Sequence, residues 1–286
     1  MNKEIETLLH TVLSPNAKVL HPLIGGMMNQ SYVVEDNGKQ YVLYISTAQA
    51  NEMVDRRIER NNQEIIYELG LTSKNVYFDI DKGIKINEFI EGSSLDKLND
   101  FDPHKVAVLL RNLHQSGKRS EMDYCPFERF INYENEALTF QKVGEEYNKL
   151  RKTLFENKEF LEKQELVICH NDAQKSNIVE ALNGQYYLID FEFMGNNDPI
   201  YDIGTFGNGK VSEGYEVLKE YFNGNPNKEE KKRYYLWRIF ISLQWHNVAI
   251  VKHYRGEGKT HGFDFLAVAD FFLHNALDAF DGLKRI

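Results

Sequence analysis

The sequence predicts an α+β protein with a small antiparallel-sheet lobe over residues 1–90 and a larger, mostly helical lobe over 91–286. Three observations carry that expectation. The first 90 residues hold short apolar runs separated by turn residues, the later chain shows long apolar periodicities of helical spacing, and Glu91-Gly92-Ser93-Ser94 marks the change of texture. A chain of 286 residues has room for one large domain or two moderate ones, with a core able to bury a site.

The elements follow in order. Ile5, Leu8, Leu9 and Val12 recur at helical spacing and predict a short amphipathic helix. Val19–Ile24 and Ser31–Val34 read as strands on either side of Gly25-Gly26, and Asn37-Gly38 predicts the turn of a hairpin returning through Tyr41–Ile45. A charged, periodic stretch from Asn51 to Leu69 reads as one helix stopped by Gly70, and Val76–Ile80 and Ile84–Phe89 as two further strands. Beyond the linker at Asn87–Ser94, Pro103 opens a helix to Ser116. Long helical patterns run from Phe127 to Leu150 and on to Lys163. Leu166–Cys169 is a short buried strand, and Ile178–Glu180 with Tyr186–Ile189 makes a hairpin around Asn183-Gly184. From Asp202 the chain reads as helical to its end, with breaks near Asn223–Asn227 and Gly256–Gly262.

Composition removes several classes of function. With 34 Lys+Arg against 43 Asp+Glu the formal charge is −9, a poor footprint for nucleic acid, whose phosphates call for a basic surface. Apolar runs such as Val106–Leu110 fall far short of the roughly 20 residues that span a bilayer, so no membrane insertion is expected. Glu4, Glu6 and His10 interrupt any secretory leader. Two cysteines, Cys125 and Cys169, build no disulfide framework, and the expected location is the cytoplasm. No His/Cys/carboxylate set has zinc-ligand spacing. His170 reads as a loop-orienting residue rather than a base.

The chemistry concentrates in His170-Asn171-Asp172-Ala173-Gln174-Lys175-Ser176-Asn177. An Asp followed five residues later by Asn matches the catalytic loops of phosphotransferases, where the Asp handles the acceptor hydroxyl and the Asn ligates a metal. Asp190, 18 residues after Asp172, ends the apolar strand Tyr187-Leu188-Ile189 and suits Mg²⁺, which prefers hard oxygen donors. The bland alternative is an Asp-capped turn beside a helix-capping Asp190.

His170–Asn177 followed by Ile189-Asp190-Phe191-Glu192-Phe193 resembles the choline/ethanolamine kinase family, within the wider aminoglycoside-phosphotransferase-like group, and its bacterial choline kinases most. Gln174, Asn197, Asp202 and Ile203 stand at the spacing that family uses. The resemblance runs from Gly25-Gly26-Met27-Met28-Asn29 to about Glu257. It implies a protein-kinase-like bilobal fold, the cofactors ATP and Mg²⁺, and transfer of the γ-phosphoryl group to a small cationic alcohol. It further implies Asp172, Asn177 and Asp190 as catalytic residues, with Asn177, Asp190 and Glu192 at the metal. Gly26, Asn29, Glu59 and the linker residues Glu88 and Ile90 would serve the nucleotide, Glu88 and Ile90 through backbone groups. Asp172, Gln174, Glu192, Phe193, Tyr201 and Trp245 would serve the acceptor.

Two departures qualify the resemblance. Tyr44 stands where relatives carry a strand Lys or Arg that pairs with the nucleotide phosphates and with the helix Glu. Either Lys39 or Lys85 reaches the phosphates instead, or the enzyme is slow, or the protein binds nucleotide without turnover. Lys39 reads more simply as a solvated turn residue, and Lys85 as a strand residue on an exposed face. Val248 takes the place of a second Trp one helical turn after the first, which thins the aromatic cage for a quaternary ammonium group. Trp245 in an amphipathic helix also reads as core, Trp237 is assigned to the core, and Tyr254 is a rim candidate. Asp202 reads best as an anchor of the catalytic loop. An aminoglycoside or other small molecule is the alternative acceptor, and a non-catalytic nucleotide or amine sensor the alternative class.

Overall fold

A computed structural model describes residues 3–23, 29–258 and 264–286. Asn37 and Gly38 both adopt positive φ, 51° and 82°, the left-handed pair that a tight two-residue hairpin demands and that Asn-Gly supplies at least cost. That turn joins β2 (Asn29–Asp36) to β3 (Lys39–Ser46). With β1 (Lys18–Leu23), β4 (Asn75–Asp79) and β5 (Ile84–Glu88) they make an antiparallel sheet in the order β1-β2-β3-β5-β4.

The register sorts side chains onto two faces. Leu43 lies opposite Ile86 and Ile45 opposite Ile84, and these pack with Val34 against Leu9 of α1 (Lys3–Val12). Val42 opposite Asn87 and Tyr44 opposite Lys85 occupy the other face. The expected single helix over 51–69 is two, α2 (Ala48–Met53) and α3 (Arg56–Glu68). The physical reason is Asp55, whose carboxylate caps α3 by accepting the N–H groups of Arg57 (3.0 Å) and Ile58 (3.1 Å). The buried face of α3 is Arg56, Glu59, Asn62, Gln63 and Ile66, mostly polar. Gln63 donates to Asn87 (2.8 Å) across to β5, so the helix docks by hydrogen bonds as well as by apolar burial.

The described chain divides into two compact units, and neither is a single run of sequence. Residues 176–194 and 120–122 group with the first hundred residues, whereas 101–119, 123–175 and 195–286 form the second. The division expected at 90/91 is linear, and the 176–194 segment crosses it because its strands pair with the linker. β6 (Gly92–Ser94) hydrogen-bonds to β7 (Ile178–Ala181), which pairs with β8 (Tyr186–Leu188). A Cβ on Gly92 would sit 2.1 Å from the Glu180 carbonyl oxygen. Gly92→Ala is therefore expected to destabilise by about 1–3 kcal/mol; an unchanged urea midpoint would refute this close approach.

The second unit is helical apart from one short strand pair, Val167–Cys169 with Gly195–Asn197. Around it stand α4 (Pro103–His114), α5 (Pro126–Phe140), α6 (Glu145–Glu156), α7 (Lys158–Glu162), α8 (Pro199–Phe206), α9 (Val211–Tyr221), α10 (Lys228–Tyr254) and α11 (Phe265–Lys284). The pattern expected to run from Phe127 to Lys163 is cut after Phe140 and at Asn157, with Gly144 at the start of α6. Trp237 of α10 is fully buried among Phe127, Tyr201 and Phe240, as expected of core. Both cysteines are free. Among the described residues no helix is long and apolar enough to cross a membrane.

Candidate active site

In the first unit the residues singled out from sequence converge on one buried polar network. Glu59, buried on α3, accepts from Lys85 Nζ (2.5 Å) and from Arg56 Nη1 (2.5 Å). Arg56 also reaches Glu192 (3.3 Å), which accepts from Asn29 Nδ2 (2.5 Å), and Ser46 donates to Asn29 Oδ1 (2.9 Å). Burial alone would raise the Glu59 pKa, but Lys85 and Arg56 beside it hold it below the ordinary value. Asp190 is pushed up by burial, with Lys85 pulling it back and Glu59 adding to the rise. Glu192 is pushed up to about 6, first by burial and then by the negative charge of Asp190.

This network corrects the sequence reading of Lys85. The sequence reads Lys85 as a strand residue on an exposed face. In the structure Lys85 is 3 % exposed, because α3 covers the second face and supplies Glu59 as its partner. Lys39 keeps its expected place at the surface, in an ion pair with Glu88. Arg56 escaped notice as one of several charges in a charged stretch; its signal was the three-residue step to Glu59, which puts both on one helix face.

Asp190 ends the β7–β8 hairpin with φ 67°, a left-handed conformation uncommon for a non-glycine residue. Its Oδ1 is buried and has no hydrogen-bond partner among the described residues. Asn177 is buried in the same unit, and its carbonyl accepts the Ile189 N–H (3.0 Å) one residue before Asp190. Phe193 follows on the same segment, half-buried. Gly26 lies outside the described residues. Glu88 is poorly placed to serve adenine: its N–H donates to Lys74 O (2.9 Å) and its carbonyl accepts Ser73 Oγ (2.6 Å).

In the second unit Asp172 sits on a loop tied from beneath. Asp202, fully buried on α8, accepts the backbone N–H groups of His170 (2.8 Å) and Asn171 (2.7 Å) and contacts His114 Nε2 (3.0 Å). Asn171 has φ 64° and is locked there by Asn197, whose Nδ2 donates to its Oδ1 (2.8 Å). Asp202 is thus the anchor that the sequence reading favoured. His170 is buried and its Nδ1 faces the Asp172 N–H (3.3 Å), an orienting contact. Gln174 donates its side-chain amide to Asp172 Oδ2 (3.2 Å) and its N–H to Asp172 O (2.8 Å), which holds the carboxylate in place.

Two acceptor candidates look less available than expected. Tyr201 is 1 % exposed, edge-on to Trp237, and burial with neighbouring Tyr124 pushes its pKa well up. Trp245 is half-buried and stacks on Phe272 of α11, with ring centroids 5.9 Å apart. Tyr254 is exposed and stacks on Phe140.

A phosphotransferase fold of the kinase-like type is what these units define, and comparison with solved structures agrees. The chain superposes on the choline kinase LicA of Streptococcus pneumoniae with a TM-score of 0.75, 26% identity and 99% of each chain covered. A choline/ethanolamine kinase family protein of Mesorhizobium loti gives 0.77 at 19% identity, covering 99% of this chain and 96% of that one, which speaks for the fold alone. Protein LicA of Haemophilus influenzae is 27% identical over 251 residues, 82% of this chain and 74% of that protein. The choline/ethanolamine kinase model matches residues 20–237, and the chain belongs to that family. It is therefore a small-molecule kinase, a phosphotransferase with an alcohol group as acceptor. Nucleotide binding accords with the AMP complex of LicA, a structure 26% identical to this chain.

Proposed function

We propose that this protein transfers the γ-phosphoryl group of ATP to the hydroxyl of choline or a related amino alcohol. The observation that carries the reading is Asp172: a half-buried carboxylate steered by Gln174, on a loop whose backbone is pinned to a buried aspartate. A carboxylate so held can accept the acceptor's hydroxyl proton as its oxygen bonds to the γ-phosphorus and the bond to the ADP oxygen breaks. Positioning and fixed charge supply most of the rate in such transfers.

The first unit suits a hard divalent cation. Asp190 has a buried oxygen lacking a protein partner among the described residues, and burial together with like charge raises the pKa values of Asp190 and Glu192. Oxygen donors strained in this way are what Mg²⁺ relieves. Asp190 and Asn177 are its proposed ligands, with Glu192 contributing from its bonds to Asn29 and Arg56. When bound, Mg²⁺ neutralises phosphate charge. Phe193 of the first unit and Trp245 of the second, each half-buried, are the separate aromatic candidates for contact with a cationic head, which has no N–H to donate if quaternary.

ADP release with Mg-ATP and a panel of choline, ethanolamine and aminoglycosides tests the proposal. Choline or ethanolamine is expected to give acceptor-dependent release, with aminoglycosides near background. Release with aminoglycosides alone would move the acceptor class, and none at high enzyme concentration would overturn the reading.

A further inference from the structure

The family resemblance implies a phosphate-directed cation at the strand position that Tyr44 occupies here, and the cross-strand register puts a lysine beside that position. Tyr44 on β3 lies directly opposite Lys85 on β5. Directly opposed residues of an antiparallel pair project from the same face, about 5 Å apart at Cβ. A lysine at 85 therefore stands on the same face as one at 44, displaced by a single strand. It also makes the ion pair expected of that lysine, to Glu59 of α3 (2.5 Å).

Three further observations fit. Lys85 lies with Nζ 4.8 Å from the Tyr44 ring centroid, so the phenol forms a cation–π wall for the ammonium group. An ammonium group has three donors, and among the described residues Glu59 takes one of them by hydrogen bond. Beside it Arg56, 5 % exposed, has Nη2 buried with no partner among the described residues. A buried guanidinium donor left open in a network that also includes an open carboxylate oxygen, Asp190 Oδ1, is an arrangement awaiting a polyanion with its cation.

We propose that Lys85, delivered from β5 rather than β3, is the cation that binds the nucleotide phosphates, with Arg56 completing the charge and Tyr44 acting as the wall that holds the lysine. The proposal rests on the reading that this protein uses ATP, and it deepens that reading by naming the residue responsible. Tyr44 then marks a relocated cation and not a missing one.

Calorimetric titration with ATP and with adenosine, alongside turnover of whichever acceptor the wild type uses, is the test. Lys85→Met is expected to weaken ATP binding about 10- to 100-fold, the loss of one charge-assisted contact, while adenosine binds as in the wild type. The double variant Lys85→Met/Tyr44→Lys is expected to regain at least about tenfold of the lost ATP affinity, by returning the ammonium group to the same face. Because Lys85→Met strips Glu59 of a partner, Lys85→Met/Glu59→Gln is read in its place if the single variant melts early. Equal ATP binding by wild type and Lys85→Met would overturn the proposal. So would parallel loss of ATP and adenosine in a folded variant, which denotes a structural role. A large gain in ATP affinity from Tyr44→Lys alone would also overturn it, since the position would then have been vacant. If Lys85→Met loses ATP selectively while the wild type phosphorylates no amino alcohol, the acceptor reading fails and the assignment of Lys85 stands.

Discussion

Asp172→Asn is expected to lower kcat by about 10²- to 10⁴-fold, the usual contribution of a positioned general base. Nucleotide affinity and thermal stability should be nearly unchanged. Asparagine keeps the shape and one acceptor oxygen, so the contact from Gln174 Nε2, at 3.2 Å in the native protein, can persist. What it loses is the capacity to take a proton. A kcat within about threefold of wild type would remove Asp172 from the chemistry and leave positioning as the whole of the loop's role.

Asp202→Ala is expected to cost about 3–5 kcal/mol of stability, because it strips acceptors from two buried backbone N–H groups and a partner from buried His114. The left-handed Asn171 sits at the centre of that network, so the catalytic loop should lose its conformation before the rest of the unit unfolds. Chemical denaturation reads the first effect, and hydrogen exchange at His170 and Asn171 the second. Asp202→Asn, which retains one acceptor oxygen, should fall between. A loss under about 1 kcal/mol for the alanine variant would show that the anchor is dispensable.

Most of the fold was legible because its signals are local. Asn37-Gly38 names its own turn, Pro103 and Gly70 mark helix ends, and the alternation in β3 and β5 follows from the pleat. The misses were also physical. Asp55 breaks a helix that periodicity alone would carry through, and capping competes with propagation over only three residues. The three-residue strands Gly92–Ser94 and Gly195–Asn197 are too short to show alternation and exist through their partners.

The site divides in the same way. Asp172, Asn177 and Asp190 were readable as candidates from their spacing, and Glu192 from the family resemblance; their roles are proposals. Family membership and the need for a phosphate cation were equally readable from the chain. The sequence offered Lys39 and Lys85 for that role and did not decide between them. Lys85 looks like the polar member of an alternating strand, and only cross-strand register and the covering of that face by α3 turn it inward. A lysine survives burial only with a carboxylate beside it. The partner, Glu59, lies 26 residues away along the chain, a separation that no local pattern encodes.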